Sequence, residues 1–415
     1  MPIELTAALL LFVLAGLALT VSMLDGTPTS PTSGLPTVQP IQPARLMDTR
    51  SADSTIDGLF AGLGPIPAGS IIELDVAGRA DVPDTASAVV LNVTTIAPVD
   101  AGYITLFPCG STLPNASNLN HQAGEIIANA AVVKVGDDGK VCVFTHATTH
   151  LAIDINAYAL DGAPLRPLDP ARLVDTRAAD TTIDGNNAGN GPVSAGSVVE
   201  IDVSGRAGIP DNAAAAVLNI AVVEPTQPGY LTVFPCGEEP PNASTLNHTI
   251  GGAVANTVIA AIGTNGRVCI YAYATTHLIV DTSGYIPTDS TVIPISPARF
   301  VDTRAADTTI DGLDSGGGPL TAGTTRTITI AGRADIPTNI TGVILNITAL
   351  DSTAPGYLTV YPCDQPQPTA SNVNYPYDWV TANAVVAKLS TTGEICVYTS
   401  ADVHTIIDIN GYMTN

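Results

Sequence analysis

One octapeptide pattern occurs three times in this 415-residue chain at a fixed interval. PARLMDTR runs from Pro43 to Arg50, PARLVDTR starts at Pro170 and PARFVDTR at Pro297, 127 residues apart each time. The same offset carries Gly78-Arg79 to Gly205-Arg206 and Gly332-Arg333, and Gly102-Tyr103 to Gly229-Tyr230 and Gly356-Tyr357. It also relates Asn92, Asn219 and Asn346, and Asn129, Asn256 and Asn383. No net insertion or deletion separates the copies. A period of this length is far above that of solenoid units, so a whole domain has been triplicated. The expected domains are 43–163, 168–289 and 295–415, joined by short Pro-rich segments that hold them semi-rigidly, like beads on a stiff string.

Within a copy, strand signals recur about every ten residues. SIIELDV (70–76), ASAVVLNVTT (86–95), GYITLFP (102–108), ANAAVVKV (128–135), KVCVFTH (140–146) and HLAIDINAY (150–158) alternate or run β-branched, with turn clusters between them. No capped 3.6-residue periodicity intervenes, which excludes parallel β/α folds. The expected class is all-β: three tandem disulfide-bonded β-sandwich domains, jelly-roll or Ig-like, preceded by one N-terminal apolar α-helix. Composition agrees, with 37 Gly, 32 Pro and a charged share of 13%, about half the usual value.

Six cysteines fall two to a copy: Cys109 with Cys142, Cys236 with Cys269, and Cys363 with Cys396, each pair 33 residues apart. One disulfide per domain accounts for all of them and implies an oxidising compartment. Zinc is disfavoured because paired Cys-x₂-Cys spacing is absent. A formal charge of −23 from only 15 basic residues repels phosphate backbones, so nucleic acid is not an expected partner. No acidic loop matches a calcium pattern, and no metal or cofactor is expected. Sequons at Asn92, Asn115, Asn242, Asn247, Asn339 and Asn346 permit glycosylation; at Asn92 and Asn346, both mid-strand, a buried hydrogen bond is the plainer reading.

Each copy holds a Ser, a His and an Asp that invite comparison with a hydrolytic triad: Ser117, His150 and Asp154, then Ser244, His277 and Asp281, then Ser371, His404 and Asp408. The His and Asp are four apart on one strand, about 13 Å at ~3.3 Å per residue, too far to hydrogen-bond as a triad requires. The Ser also lacks a nucleophile elbow. No enzymatic activity is expected. The recurring arginines have a structural reading instead. Asp48, Arg50 and Arg79, with Asp175, Arg177, Arg206 and Asp302, Arg304, Arg333, form a network expected to close each domain.

The N-terminus departs from the repeat. Leu5 to Leu24 is an uncharged apolar run of twenty residues, about 30 Å long as a helix, the thickness of a bilayer core. A Pro/Thr/Ser tether (26–42) follows. No Lys or Arg precedes Arg45, so an ordinary secretory signal with its positive flank is a poor match.

The pattern P-A-R-[LF]-x-D-T-R … G-R … G-Y-[IL]-T-[LV] resembles tandem domains of secreted surface proteins of actinobacteria and related bacteria, which implies an extracellular location. The opening Met1, Pro2, Ile3, Glu4, Leu5 and the apolar run resemble the mature N-terminus of type IV pilin or archaellin-like subunits. That resemblance implies a helical homopolymer. The helices would pack in its core after removal of a basic leader, and Met1 and Glu4 would serve as assembly residues. The expected function is therefore a structural subunit of an extracellular pilus-like filament displaying three β-domains. Its partners would be copies of itself, with surface glycans or other cells possible and the membrane only a stage before assembly. The alternative is a membrane-anchored adhesin or carbohydrate-binding array.

Overall fold

Two kinds of strand burial separate the elements of each repeat. In a computed structural model describing residues 38–51, 53–178, 181–305 and 308–414, the first copy comprises β1 (Val38–Asp48), β2 (Ile71–Asp75), β3 (Ala86–Ile96), β4 (Gly102–Pro108), β5 (Leu119–His121), β6 (Ile126–Lys134), β7 (Lys140–Thr145) and β8 (His150–Leu160). β2 alternates exposed and buried positions, as a strand with one wet face must. β3, by contrast, is buried along nearly its whole length. Its run AVVLNVTT has apolar or hydrogen-bonding side chains on both faces because both faces are covered.

These strands form two antiparallel sheets, ordered β1-β8-β3-β6 and β2-β7-β4-β5. That is the wrapped connectivity of an eight-strand jelly roll. Leu46, Val89, Leu91, Val93, Ile153 and Ile155 of the first sheet pack against Leu74, Ile104, Leu106, Val141 and Val143 of the second. The second copy repeats the arrangement with β9 (Arg166–Asp175), β10 (Ser197–Asp202), β11 (Ala213–Val223), β12 (Gly229–Pro235), β13 (Leu246–His248), β14 (Val254–Ala261), β15 (Arg267–Ala272) and β16 (His277–Pro287). The third uses β17 (Val292–Asp302), β18 (Thr325–Thr329), β19 (Ile340–Leu350), β20 (Gly356–Pro362), β21 (Val373–Tyr375), β22 (Thr381–Lys388), β23 (Glu394–Thr399) and β24 (His404–Thr414). Disulfides Cys109–Cys142, Cys236–Cys269 and Cys363–Cys396 each span 33 residues.

The copies are not beads on a string. Besides one core inside each sandwich, a fourth cluster draws on all three copies: Val90 and Val132, then Val217 and Ile259, then Ile344 and Val386, with Val38, Ile286 and Met413 among the rest. The equivalent strands β6, β14 and β22 each touch the other two. The three inner sheets therefore face a common axis, which is why their second faces are apolar. Each such Val or Ile gains roughly 1.5–3 kcal/mol over an exposed one, which favours the ring over three separate domains. Leu35–Asn415 is accordingly one compact unit. The ring also recruits part of the expected tether: β1 begins at Val38, whose side chain is in the shared core.

Register orders the axis into levels. Val38 pairs with Ala159 and Ala159 with Ala88, whereas Ile96, eight residues further along β3, pairs with Ile126 and His150. At ~3.3 Å per residue the two levels are about 26 Å apart. We call the Val38 level the base and the Ile96–Ile126 level the apex. Asn92, paired with Asp154 and Ala130, lies between them.

Among the described residues no helix is long and apolar enough to cross a membrane. The Leu5–Leu24 run, Met1 and Glu4 lie outside the described residues.

Candidate functional site

Two sets of polar residues common to all three copies bridge neighbouring copies. Asp154, fully buried in β8, takes a bidentate pair from the Arg45 guanidinium of β1. Its Oδ2 also accepts the backbone N–H of Ser371 in the third copy (3.2 Å). Asp281 accepts from Arg172 and from the Ser117 N–H (3.1 Å), and Asp408 from Arg299 and the Ser244 N–H (3.1 Å). The donors run from copy one to two, two to three and three to one, so the ring closes.

Asparagines repeat the pattern. The Asn129 amide donates to Asn219 Oδ1 (2.9 Å) across the first junction, Asn256 to Asn346 Oδ1 (2.8 Å) across the second, and Asn383 to Asn92 Oδ1 (2.7 Å) across the third. Asn219, Asn346 and Asn92 in turn donate to the carbonyls of Ser117, Ser244 and Ser371. Within low-dielectric surroundings such satisfied networks fix one packing, since a half-made network leaves buried polar groups unpaired.

The residues of the apparent triads are thereby assigned. His150 Nδ1 is 2.9 Å from Thr49 Oγ1, with His277 on Thr176 and His404 on Thr303 likewise. Ser117, His150 and Asp154 have separate partners, as the strand spacing requires. Burial pushes the carboxyls of Asp154, Asp281 and Asp408 up, against the arginines that pull them down. Arg45, despite burial that lowers it, is held above its usual range by Asp154 and Asp48.

The expected arginine network exists in altered form. Asp48, Asp175 and Asp302 are fully buried and accept two side-chain bonds each from Arg50, Arg177 and Arg304, at 2.7–3.0 Å. Their third partner is Arg45, Arg172 or Arg299. Arg79 is elsewhere: it forks onto Asp57 (2.7 and 2.8 Å) and reaches the carbonyls of Asp75 and Leu46. Arg206 does the same with Asp184, and Arg333 with Asp311. Two short acidic partners were therefore shared out where sequence spacing suggested one.

Of the sequon asparagines, Asn92 and Asn346 are buried in the junctions. Asn247 is half-buried in β13 with its amide on Ser244 Oγ (3.3 Å). Asn115, Asn242 and Asn339 are exposed.

At the apex the copies stop resembling one another. The segment between β5 and β6 reads QAGE at 122–125, while its equivalents read TIGG at 249–252 and PYDW at 376–379. Together these segments line a partly open pocket with residues from all three copies in its wall. Glu125, Asn247, Asn374 and Trp379 line it beside Ile126, Ile127, Val254 and Val380. Glu125 and Trp379 are equivalent positions, so one copy brings a carboxylate to the wall and another an indole, whereas their counterpart Gly252 is not among the lining residues. A side chain at Gly252 would meet nothing within 4 Å. The Trp379 segment is pinned, because the Asp378 N–H bonds Ser352 Oγ (3.1 Å), whose hydroxyl donates to the Pro376 carbonyl (2.8 Å). Apolar side chains stand exposed around the mouth, Ile250 at 65%, Tyr377 at 63% and Ile126 at 49%. Sequence reasoning did not find this site.

No family model matches the chain, and no curated protein matches it. Among solved structures, a triple jelly-roll turret protein of an archaeal virus aligns over 90% of this chain and 91% of its own at 7% identity and a TM-score of 0.21. The N-terminal CBM22-1–CBM22-2 tandem domain of Xyn10C from Paenibacillus barcinonensis aligns over 59% and 98% at 10% identity, TM-score 0.16. Likenesses this slight say nothing of what the chain does.

Proposed function

We propose that this is a non-enzymatic extracellular display protein, the subunit of a pilus-like filament whose apolar N-terminal segment assembles with copies of itself and whose three-domain ring is presented outward. The observation that carries the reading is the polarity of the ring. β1 starts at the base in the shared apolar core, and the divergent loops with their cavity lie at the opposite end. A head attached through one pole leaves the other free to meet a partner. Three disulfides fit an oxidising, extracellular setting. The Asp and the backbone of the Ser hold the junctions, and the His bonds a Thr of its own copy, which supports a role without catalysis.

Glu4 supplies the test. A carboxylate inside an apolar helix bundle is costly unless paired, and the pairing proposed is with the α-amino group of a neighbouring copy. Negative-stain microscopy of shed surface material should show filaments from the wild-type chain. Glu4→Ala should leave the head folded and filaments absent or severely shortened. Normal filaments from the variant, or none from the wild type, would count against assembly. The second outcome favours a membrane-anchored adhesin, for which an apical cavity on a single anchored copy is equally suited.

A further inference from the structure

The apical cavity has a chemistry of its own, independent of whether the chain forms filaments. No Lys or Arg lines it, and Glu125 is its one acidic side chain. Glu125 Oε2 accepts from the backbone N–H of Gln122 (2.7 Å), while Oε1 accepts nothing among the described residues. The two asparagines of the wall are turned the same way. The Asn247 amide nitrogen donates to Ser244 Oγ, and that of Asn374 to Ser371 Oγ and Thr94 Oγ1. Each leaves its Oδ1 without a donor among the described residues. The unspent side-chain groups of the carboxylate and both amides are thus acceptors, beside an indole and an aliphatic wall.

We propose that this cavity binds a primary ammonium group carried on an apolar stem. An ammonium offers three donors and no acceptor, the complement of Glu125, Asn247 and Asn374. The face of Trp379 attracts a cation through its ring quadrupole, and Ile126, Ile127, Val254 and Val380 accommodate the stem. A chain of net charge −23 draws cations towards it. Burial pushes the Glu125 carboxyl up, and a cation bound beside it favours its ionised form.

Trp379 is the single tryptophan of the chain, so intrinsic fluorescence reports the site directly. Titrating the full-length protein with n-butylammonium chloride should give a saturable change in Trp379 emission. 1-Butanol, with the same stem and no charge, should give none over the same range. Glu125→Gln should weaken butylammonium binding roughly fivefold. Binding should also weaken as the pH falls from about 7 to about 4, both as Glu125 takes up a proton and as His248, which shares the wall and whose charged form burial disfavours, gains one. The proposal is overturned if butanol and butylammonium act alike, if Glu125→Gln binds as the wild type does, or if no saturable change is seen.

Discussion

The backbone N–H of Ser371 donates to the carboxylate of Asp154, 217 residues earlier in the chain, at 3.2 Å. That bond closes the ring, and the same fully buried carboxylate pairs with the Arg45 guanidinium. The same holds at Asp281 with Arg172, and at Asp408 with Arg299. Removing one member of such a pair leaves an uncompensated buried charge, which costs roughly 3–5 kcal/mol. Asp281→Ala should therefore lower the unfolding midpoint strongly in urea, and Asp281→Asn less, because the amide still accepts from Ser117. Lys134→Ala, which removes an exposed partner of Asp169 (3.7 Å), should cost about 1 kcal/mol or less. Equal losses in all three variants would mean that the junction pairs add nothing beyond surface electrostatics.

Acid should loosen the ring through a different set of carboxylates. Hydrogen bonds from Arg79, Arg206 and Arg333 hold Asp57, Asp184 and Asp311 below the usual carboxylate range. Asp48, Asp175 and Asp302 are pushed up by burial, but bonds from Arg50, Arg177 and Arg304 outweigh it and leave them low. A depressed folded-state pKa contributes stability that is complete above the unfolded value, about 4, and is lost as pH falls through the folded one. Asp154, Asp281 and Asp408 are raised, so they take up a proton more readily folded than unfolded and oppose this trend. They do so above about pH 4, where the folded carboxyls already take up protons, so between about pH 4 and pH 2 the depressed set alone acts and the unfolding free energy should drop. The triple variant Asp57→Asn, Asp184→Asn, Asp311→Asn should flatten that slope; an unchanged slope would refute the assignment.

Much of the architecture was legible because each part is local. The 127-residue offset gave the copies, the β-branched runs gave the strands, and the matched cysteines gave the disulfides. Asp48 with Arg50 was legible for the same reason, since the two are neighbours. The junctions were not, although their signal was present: Asn92 and Asn129 are polar residues inside apolar strands, repeated at the same offset. A single sequence does not say whether such groups are satisfied within a copy or across to the next. The double-sided burial of β3 carried the same message, because a sandwich strand with one wet face should alternate and AVVLNVTT does not. The apical cavity was hidden for the opposite reason. It is built around Glu125 and Trp379, equivalent positions where the repeat breaks down, and a search for recurrence passes over them.

Glycan occupancy should follow burial rather than motif. Asn115, Asn242 and Asn339 are exposed, whereas Asn92 and Asn346 donate to carbonyls of a neighbouring copy in the ring's interior. Expressed in a host that glycosylates Asn-x-Ser/Thr, the secreted, folded protein should carry glycans only at exposed sites. Glycopeptide mapping is the check. A glycan at Asn92 or Asn346 on protein that still melts cooperatively would contradict the closed ring.

The closed ring has one further consequence, for a single copy taken alone. Residues 166–292 contain their own sandwich core and disulfide, so the copy should fold. Isolated, it would expose Ala215, Val217, Ile259 and Ile286, which the ring buries. It also carries both halves of the junction. Ser244 and Asn256 face one neighbour, while Asp281, Asn219 and Thr257 face the other. Because the junctions repeat nearly identical groups, three such chains can close on one another as the three copies do. The isolated copy should sediment as a homotrimer at micromolar concentration. Val217→Asp, placing a charge on the axis, should return it to a monomer with its disulfide intact. A wild-type copy that stays monomeric would show that covalent linkage, rather than complementarity of the inner sheets, holds the ring together.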